Sequence, residues 1–289
     1  MFALAAAARF SHFAALTLLF GLAVFPLYAG RPGQSKGLER LIDGCAVAVL
    51  VTGLLELAAM VANMGGSLGA VVDPQVISAA VTDTDFGRVW IARLALAAVL
   101  LAVRMRRRLP GDPVLVGLSG LALASVALTG HSSMPGGGLG LAHQIADAGH
   151  LLAAGWWIGG LAALLASSPT LQGAEAAPLL QRFSGIGYWA VAVIIATGLF
   201  KSAILIARPA ALFGSAYGEL LLLKLALVAG MGALALSNRF WITPALVRGA
   251  DETASLRRLR VQVAVELCLG LMVLGVVGAL GSMQPPISS

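Results

Sequence analysis

A chain of 289 residues that is 59% hydrophobic and only 11% charged, with a mean hydropathy of +0.91, carries more apolar surface than a water-soluble domain can hide. The net charge of +6 is not a nucleic-acid signature, because the bases gather in short loops between apolar stretches. The two cysteines, Cys45 and Cys268, both fall inside such stretches and read as small apolar residues, not as a disulfide.

Eight stretches are long and apolar enough to read as membrane helices: 5–29, 41–62, 87–104, 113–130, 142–166, 183–206, 218–237 and 261–281. Lipid offers no partner for a bare peptide group, so helices satisfying their own backbones are expected. The first stretch ends in Leu27-Tyr28-Ala29, which loosely resembles a signal-peptidase site. Its bases follow it (Arg31, Lys36, Arg40) instead of preceding it, the wrong polarity for an export signal, and it is expected to remain. Further bases lie at Arg104, Arg106, Arg107 and Arg108, at Arg182, and at Arg239, Arg248, Arg257, Arg258 and Arg260. These loops alternate along the chain. The positive-inside rule makes them cytoplasmic and sends both termini outward.

The chain also resembles itself. Phe86-Gly-Arg-Val-Trp-Ile-Ala-Arg-Leu-Ala-Leu96 recurs as Tyr217-Gly-Glu-Leu-Leu-Leu-Leu-Lys-Leu-Ala-Leu227. His12, Ala15 and Gly21 are echoed by His150, Ala153 and Gly159, and Thr52-Gly-Leu returns at Thr197. The expected architecture is an all-α integral membrane protein of two tandem four-helix repeats, 1–135 and 136–289, forming a single membrane domain. An even number of helices per repeat gives both halves the same orientation, about an axis along the membrane normal.

With that topology, all four histidines fall in the outer half. His12 and His150 lie deep, with Glu56, Arg93, Lys201 and Lys224 slightly nearer the surface; His143 and Asp147 lie higher and His131 at the mouth. In the inner half Glu266 is the main ionisable group. Ionisable groups in membrane helices are costly and mark a functional interior. For Arg93, Lys201 and Lys224 the plainer reading is snorkelling to the headgroups. Glu56 should contact a base, Arg93 first, or else a metal. His143, Asp147 and His150 share one helical face, as do Glu56, Met60 and Met64. The outer loop His131-Ser-Ser-Met134 adds an imidazole and a thioether.

Imidazole, thioether and carboxylate together suit copper: thioether favours Cu(I), and imidazole accepts either oxidation state. The candidate metal ligands are therefore His12, His131, His143 and His150, with Met134, Met60 and Met64. Asp147 is expected to fix an imidazole by hydrogen bonding, and Glu56 and Arg93 to form a charge network. For the methionines the bland alternative is core filling. Gly155 and Gly159 should let two helices approach closely, with Trp156 and Trp157 packing beside them.

The ordered set Thr84-Asp-Phe-Gly-Arg-Val-Trp-Ile-Ala-Arg93, Gly130-His-Ser-Ser, Asp147-Ala-Gly-His-Leu-Leu-Ala-Ala-Gly-Trp-Trp-Ile-Gly-Gly160, Arg182-Phe-Ser, Thr197-Gly198, Tyr217-Gly-Glu-Leu-Leu-Leu-Leu-Lys224 and Asn238-Arg239 resembles the bacterial copper resistance protein D (CopD) family over nearly the whole chain. That resemblance implies a multi-pass inner-membrane protein of copper homeostasis, not an enzyme, which moves copper inward beside a periplasmic copper-binding protein of the CopC type. The ligands named above come from their positions, not from the resemblance. A b-type heme protein is the alternative, since buried histidines on facing helices are what bis-imidazole ligation requires. A non-catalytic membrane partner of a periplasmic copper-binding protein is the third reading.

Overall fold

The computed structural model describes residues 2–30, 34–129, 137–171, 173–205, 211–248, 251–281 and 283. His131 and Met134 lie outside the described residues. Within them the chain is helical throughout, with no strand. Helix α1 spans Phe2–Val24 and continues, after a bend at Phe25, through Pro26–Ala29. The others are α2 (Lys36–Met64), the short α3 (Pro74–Thr82), α4 (Asp85–Arg107), α5 (Pro113–Ala124, tightening to 3-10 over Ser125–Leu128), α6 (Gly137–Ser167), α7 (Gly173–Leu205), α8 (Ala216–Ser237) and α9 (Glu252–Leu280). Past Ser237, α8 widens into a π-turn over Asn238–Ile242 and runs on through Thr243–Val247.

Seven helices among the described residues are long and apolar enough to cross a membrane. The fourth expected span is the exception: Pro113–Leu128 is apolar but shorter. Several helices overrun the apolar stretches, α6 to residue 137, α7 to 173 and α9 to 252. The sequence reading missed α3 and the 3-10 turn Leu68–Val72 before it, which fold up the loop after α2.

Helices start where side chains cap them. Ser35, Thr84, Asp112, Ser215 and Asp251 each accept a bond from a first-turn backbone N–H, orphan donors that lipid would leave bare. Thr84 accepts from Gly87 N at 2.9 Å and Ser215 from Gly218 N at 3.1 Å, so the two echoed segments begin with the same cap.

The centre of the molecule is the contact of α1 with α6. Each of these helices also packs against both α5 and α9. A Cβ built on Gly21 would collide with the Gly155 carbonyl and with Gly159 Cα; one on Gly159 would meet Gly21 Cα at 2.6 Å and Leu18 O at 2.9 Å. The backbones therefore touch, as the small-xxx-small spacing of Gly155 and Gly159 leads one to expect. Thr17 faces Gly155 and Gly21 faces Gly159, so the helices run in the same direction.

Several polar groups inside this scaffold are bonded in pairs. Trp157 Nε1 donates to Glu266 Oε1 at 2.8 Å, with Glu266 only 1% exposed. Trp157→Phe leaves that carboxyl oxygen without its donor. We expect a loss of about 1–3 kcal/mol, read as a lowered thermal midpoint in detergent. Arg104, 4% exposed, binds Asp43 at 2.7 Å. Both cysteines are free, but Cys268 is exposed on the outside of α9, where lipid, not a core, solvates an apolar thiol.

Candidate functional site

Two histidines are held by the same device. His12 Nδ1 lies 3.1 Å from Thr52 Oγ1, and His150 Nδ1 lies 2.9 Å from Thr197 Oγ1. Each threonine has one hydroxyl proton, and each directs it back along its own helix, Thr52 to Ala48 O at 2.5 Å and Thr197 to Val193 O at 2.5 Å. The oxygen can then only accept. The imidazole must donate through Nδ1, which leaves the lone pair on Nε2 in both halves. That is the tautomer a metal ligand needs. The sequence echoes at His12/His150 and Thr52/Thr197 are thus the two ends of one hydrogen bond.

The ion pairs follow the same frame with their signs exchanged. Three residues before His12, Arg9 pairs with Glu56, which stands four after Thr52; Nε to Oε1 is 3.5 Å. Three before His150, Asp147 pairs with Lys201, which stands four after Thr197. The main partner of Glu56 is therefore Arg9, not Arg93 as expected, because Arg9 lies one turn from His12 on the α1 face that meets α2. Asp147 is likewise engaged by Lys201, and the ring of His150 is fixed by a hydroxyl where a carboxylate was expected.

Arg93 does not snorkel. It is 2% exposed, its guanidinium carbon lies 4.4 Å from the Trp90 ring centroid, and it donates to Ser125 Oγ (2.9 Å), Ser125 O (2.7 Å) and Thr129 Oγ1 (3.1 Å). Trp90 packs on His12 at a centroid distance of 5.3 Å and donates Nε1 to Gly53 O at 3.0 Å, closing α4 over α2. Lys224, the counterpart of Arg93, interacts electrostatically with Lys201, Asp147 and His150. Leu221 stands where the first half has Trp90, so that position brings no indole over His150.

His143, two turns above His150, is fully buried with its ring edge against Phe200 at 6.3 Å. His143, Asp147 and His150 thus all face α7, as their spacing predicts. Met60 is half-buried and Met64 is 49% exposed at the end of α2. Among the described residues no three His, Cys, Asp or Glu side chains gather closely enough to hold a metal ion alone. A metal at His150 therefore needs donors beyond those types, or from residues outside the described ones, among them His131 and Met134.

Nine residues separate His12 from Gly21, and nine separate His150 from Gly159. At ~100° per residue that is half a turn beyond two full ones, so each histidine lies opposite the glycine contact. The two imidazoles point away from each other, each toward the helix that follows it.

A family model described as "Copper resistance protein D-like, N-terminal domain" matches residues 1–141, and one described as "Copper resistance protein D" matches residues 177–280. The chain is 31% identical to copper resistance protein D of Pseudomonas syringae pv. tomato over 99% of its length and 98% of that protein. This chain belongs to the copper resistance protein D family. It is also 30% identical to inner membrane protein YebZ of Escherichia coli K12, over 96% of its length and 97% of that protein. To copper transport protein CutJ of Bacillus subtilis it is 33% identical over 76% of its length, which corresponds to 43% of that longer protein. No solved structure matches the chain. As a member of the CopD family with seven candidate spans, this is a copper-related, multi-pass membrane protein.

Proposed function

We propose that this CopD-family protein binds copper in the outer half of the bacterial inner membrane and passes it inward, receiving it from a periplasmic copper-binding partner of the CopC type. His150 is the anchor. The observation that carries this reading is the Thr197 clamp, which sets the His150 tautomer that keeps a lone pair on Nε2. His131, His143 and Met134 are the candidates for completing the site, and imidazole admits both Cu(I) and Cu(II).

The chain is read as two tandem four-helix units, 1–135 and 136–289, with eight spans and both termini outward. The matched caps, the matched His–Thr clamps and the mutual contact of Gly21 with Gly159 support this reading. Pro113–Leu128 spans about 26 Å from its α and 3-10 rises, close to the ~30 Å hydrocarbon core. A heme shared between His12 and His150 is less well supported, because the two rings turn away from the α1–α6 contact into separate helix pairs.

Copper and heme content of detergent-purified protein, beside copper uptake into proteoliposomes, test the proposal. We expect bound copper, no Soret band, and loss of both copper and uptake in His150→Ala. Full copper at unchanged affinity in that variant, or a stoichiometric Soret band, overturns it.

A further inference from the structure

Among the buried polar atoms of the first half that have no hydrogen-bond partner among the described residues are His12 Nε2, Glu56 Oε2 and Arg93 Nη1. Their residues are 1%, 7% and 2% exposed, so none of the three can turn to bulk water. They also belong to one place. Thr52, which clamps His12, and Glu56 stand one turn apart on the same face of α2. Gly53, between them, accepts the Trp90 bond that brings α4 across, and Arg93 follows Trp90 by three residues, its guanidinium lying over that ring. Electrostatic coupling of Arg93 to both His12 and Glu56 agrees with that placement.

Three such atoms left bare would each cost about 1–3 kcal/mol, so they call for a common ligand. Its chemistry follows from theirs. His12 Nε2 holds a lone pair by the tautomer argument, and Glu56 Oε2 is a carboxylate acceptor; both need a donor. Arg93 Nη1 carries N–H and needs an acceptor. A bare cation would satisfy the first two and face the third, under the field of two arginines. An anion would satisfy only the third. A water molecule donates twice and accepts once, the number of bonds that buried waters typically make.

We infer that the first half of the molecule encloses a water molecule bound to His12 Nε2, Glu56 Oε2 and Arg93 Nη1, and that this water keeps copper out of the first half. The two histidines, alike in clamp and tautomer, are then unlike in ligand. His12 is occupied by solvent under the Trp90 lid, and His150 is the metal-binding copy. The exclusion of copper rests on the proposed copper reading; the water site does not.

Crystals of the full chain grown with copper decide the matter, through the electron density and an anomalous difference map at the copper edge. We expect a non-anomalous peak within hydrogen-bond distance of all three atoms and an anomalous peak at His150 only. An anomalous peak between His12 and Glu56 would overturn the inference, as would direct Glu56–Arg93 contact with no density between them. Water density with no copper anywhere would leave the water site standing and sink the copper reading instead. Arg93→Met provides a second test by removing the donor and one cation and adding a thioether. We expect copper per purified chain to rise about two-fold in this variant, while wild-type copper survives His12→Ala. Copper lost in His12→Ala, or unchanged in a folded Arg93→Met protein, counts against the inference.

Discussion

Gly21→Ala is expected to destabilise the protein by about 3 kcal/mol or more, although it adds a single methyl group. The new Cβ would point at the Gly155 carbonyl and Gly159 Cα, closer than any real contact. Those atoms are backbone and cannot swing aside as a side-chain tip would, so α1 and α6 must separate along a contact that organises both halves. Gly44 on α2 is the control, because a Cβ there meets nothing within 4 Å. Gly44→Ala should be neutral or gain a fraction of the ~1 kcal/mol helix-propensity difference. Thermal melts in detergent followed by intrinsic fluorescence read both. Midpoints for Gly21→Ala and Gly44→Ala that agree within about 2 °C would mean that the glycine contact does not hold the helices together.

Reversing the charge at Glu56 should do comparable damage, and a second reversal should repair it. The Glu56 side chain is 8% exposed and that of Arg9 27%, so the pair is mostly withdrawn from solvent. Glu56→Lys would set a lysine beside Arg9 and Arg93, and breaking a buried pair costs about 3–5 kcal/mol. Arg9→Asp in the same chain recreates the Asp147–Lys201 arrangement at the equivalent positions. We expect Glu56→Lys to abolish accumulation of folded protein and Arg9→Asp/Glu56→Lys to recover most of it. A double variant no better than Glu56→Lys alone would show that the two ion pairs are not interchangeable parts of one frame.

Seven of the eight expected spans, their order and the residues of the two clamps were legible in the sequence, because each is local. Hydropathy marks a helix, a charge within it marks an interior, and Gly155-xxx-Gly159 marks a close approach. What the sequence concealed was pairing across helices. Thr52 and Thr197 stood out as echoes, but a threonine followed by glycine carries no sign that its hydroxyl receives a ring nitrogen 40 or 47 positions earlier. Arg9 carries no such mark as the partner of Glu56, whereas Arg93 stands out within the strongest repeat. Glu56 and Lys201 stand four after their threonines with opposite signs, and the positions three before each histidine carry their partners, Arg9 and Asp147. Helix α3 went unseen because nine residues with a mixed polar face do not register against a search for spans.

The place of α1 has a consequence for how the protein is made. It precedes the other described helices in the chain, yet two of its four packing partners, α6 and α9, belong to the second half. Arg9 binds the carbonyl of Gly281, a residue synthesised 272 positions later. Until α6 follows, α1 must therefore wait in the bilayer with its glycine face uncovered, and until α9 follows Arg9 has Glu56 but not the Gly281 carbonyl. The nascent first half holds a place open that only the finished second half can fill, so biogenesis, more than the mature fold, is where this architecture is most exposed to error.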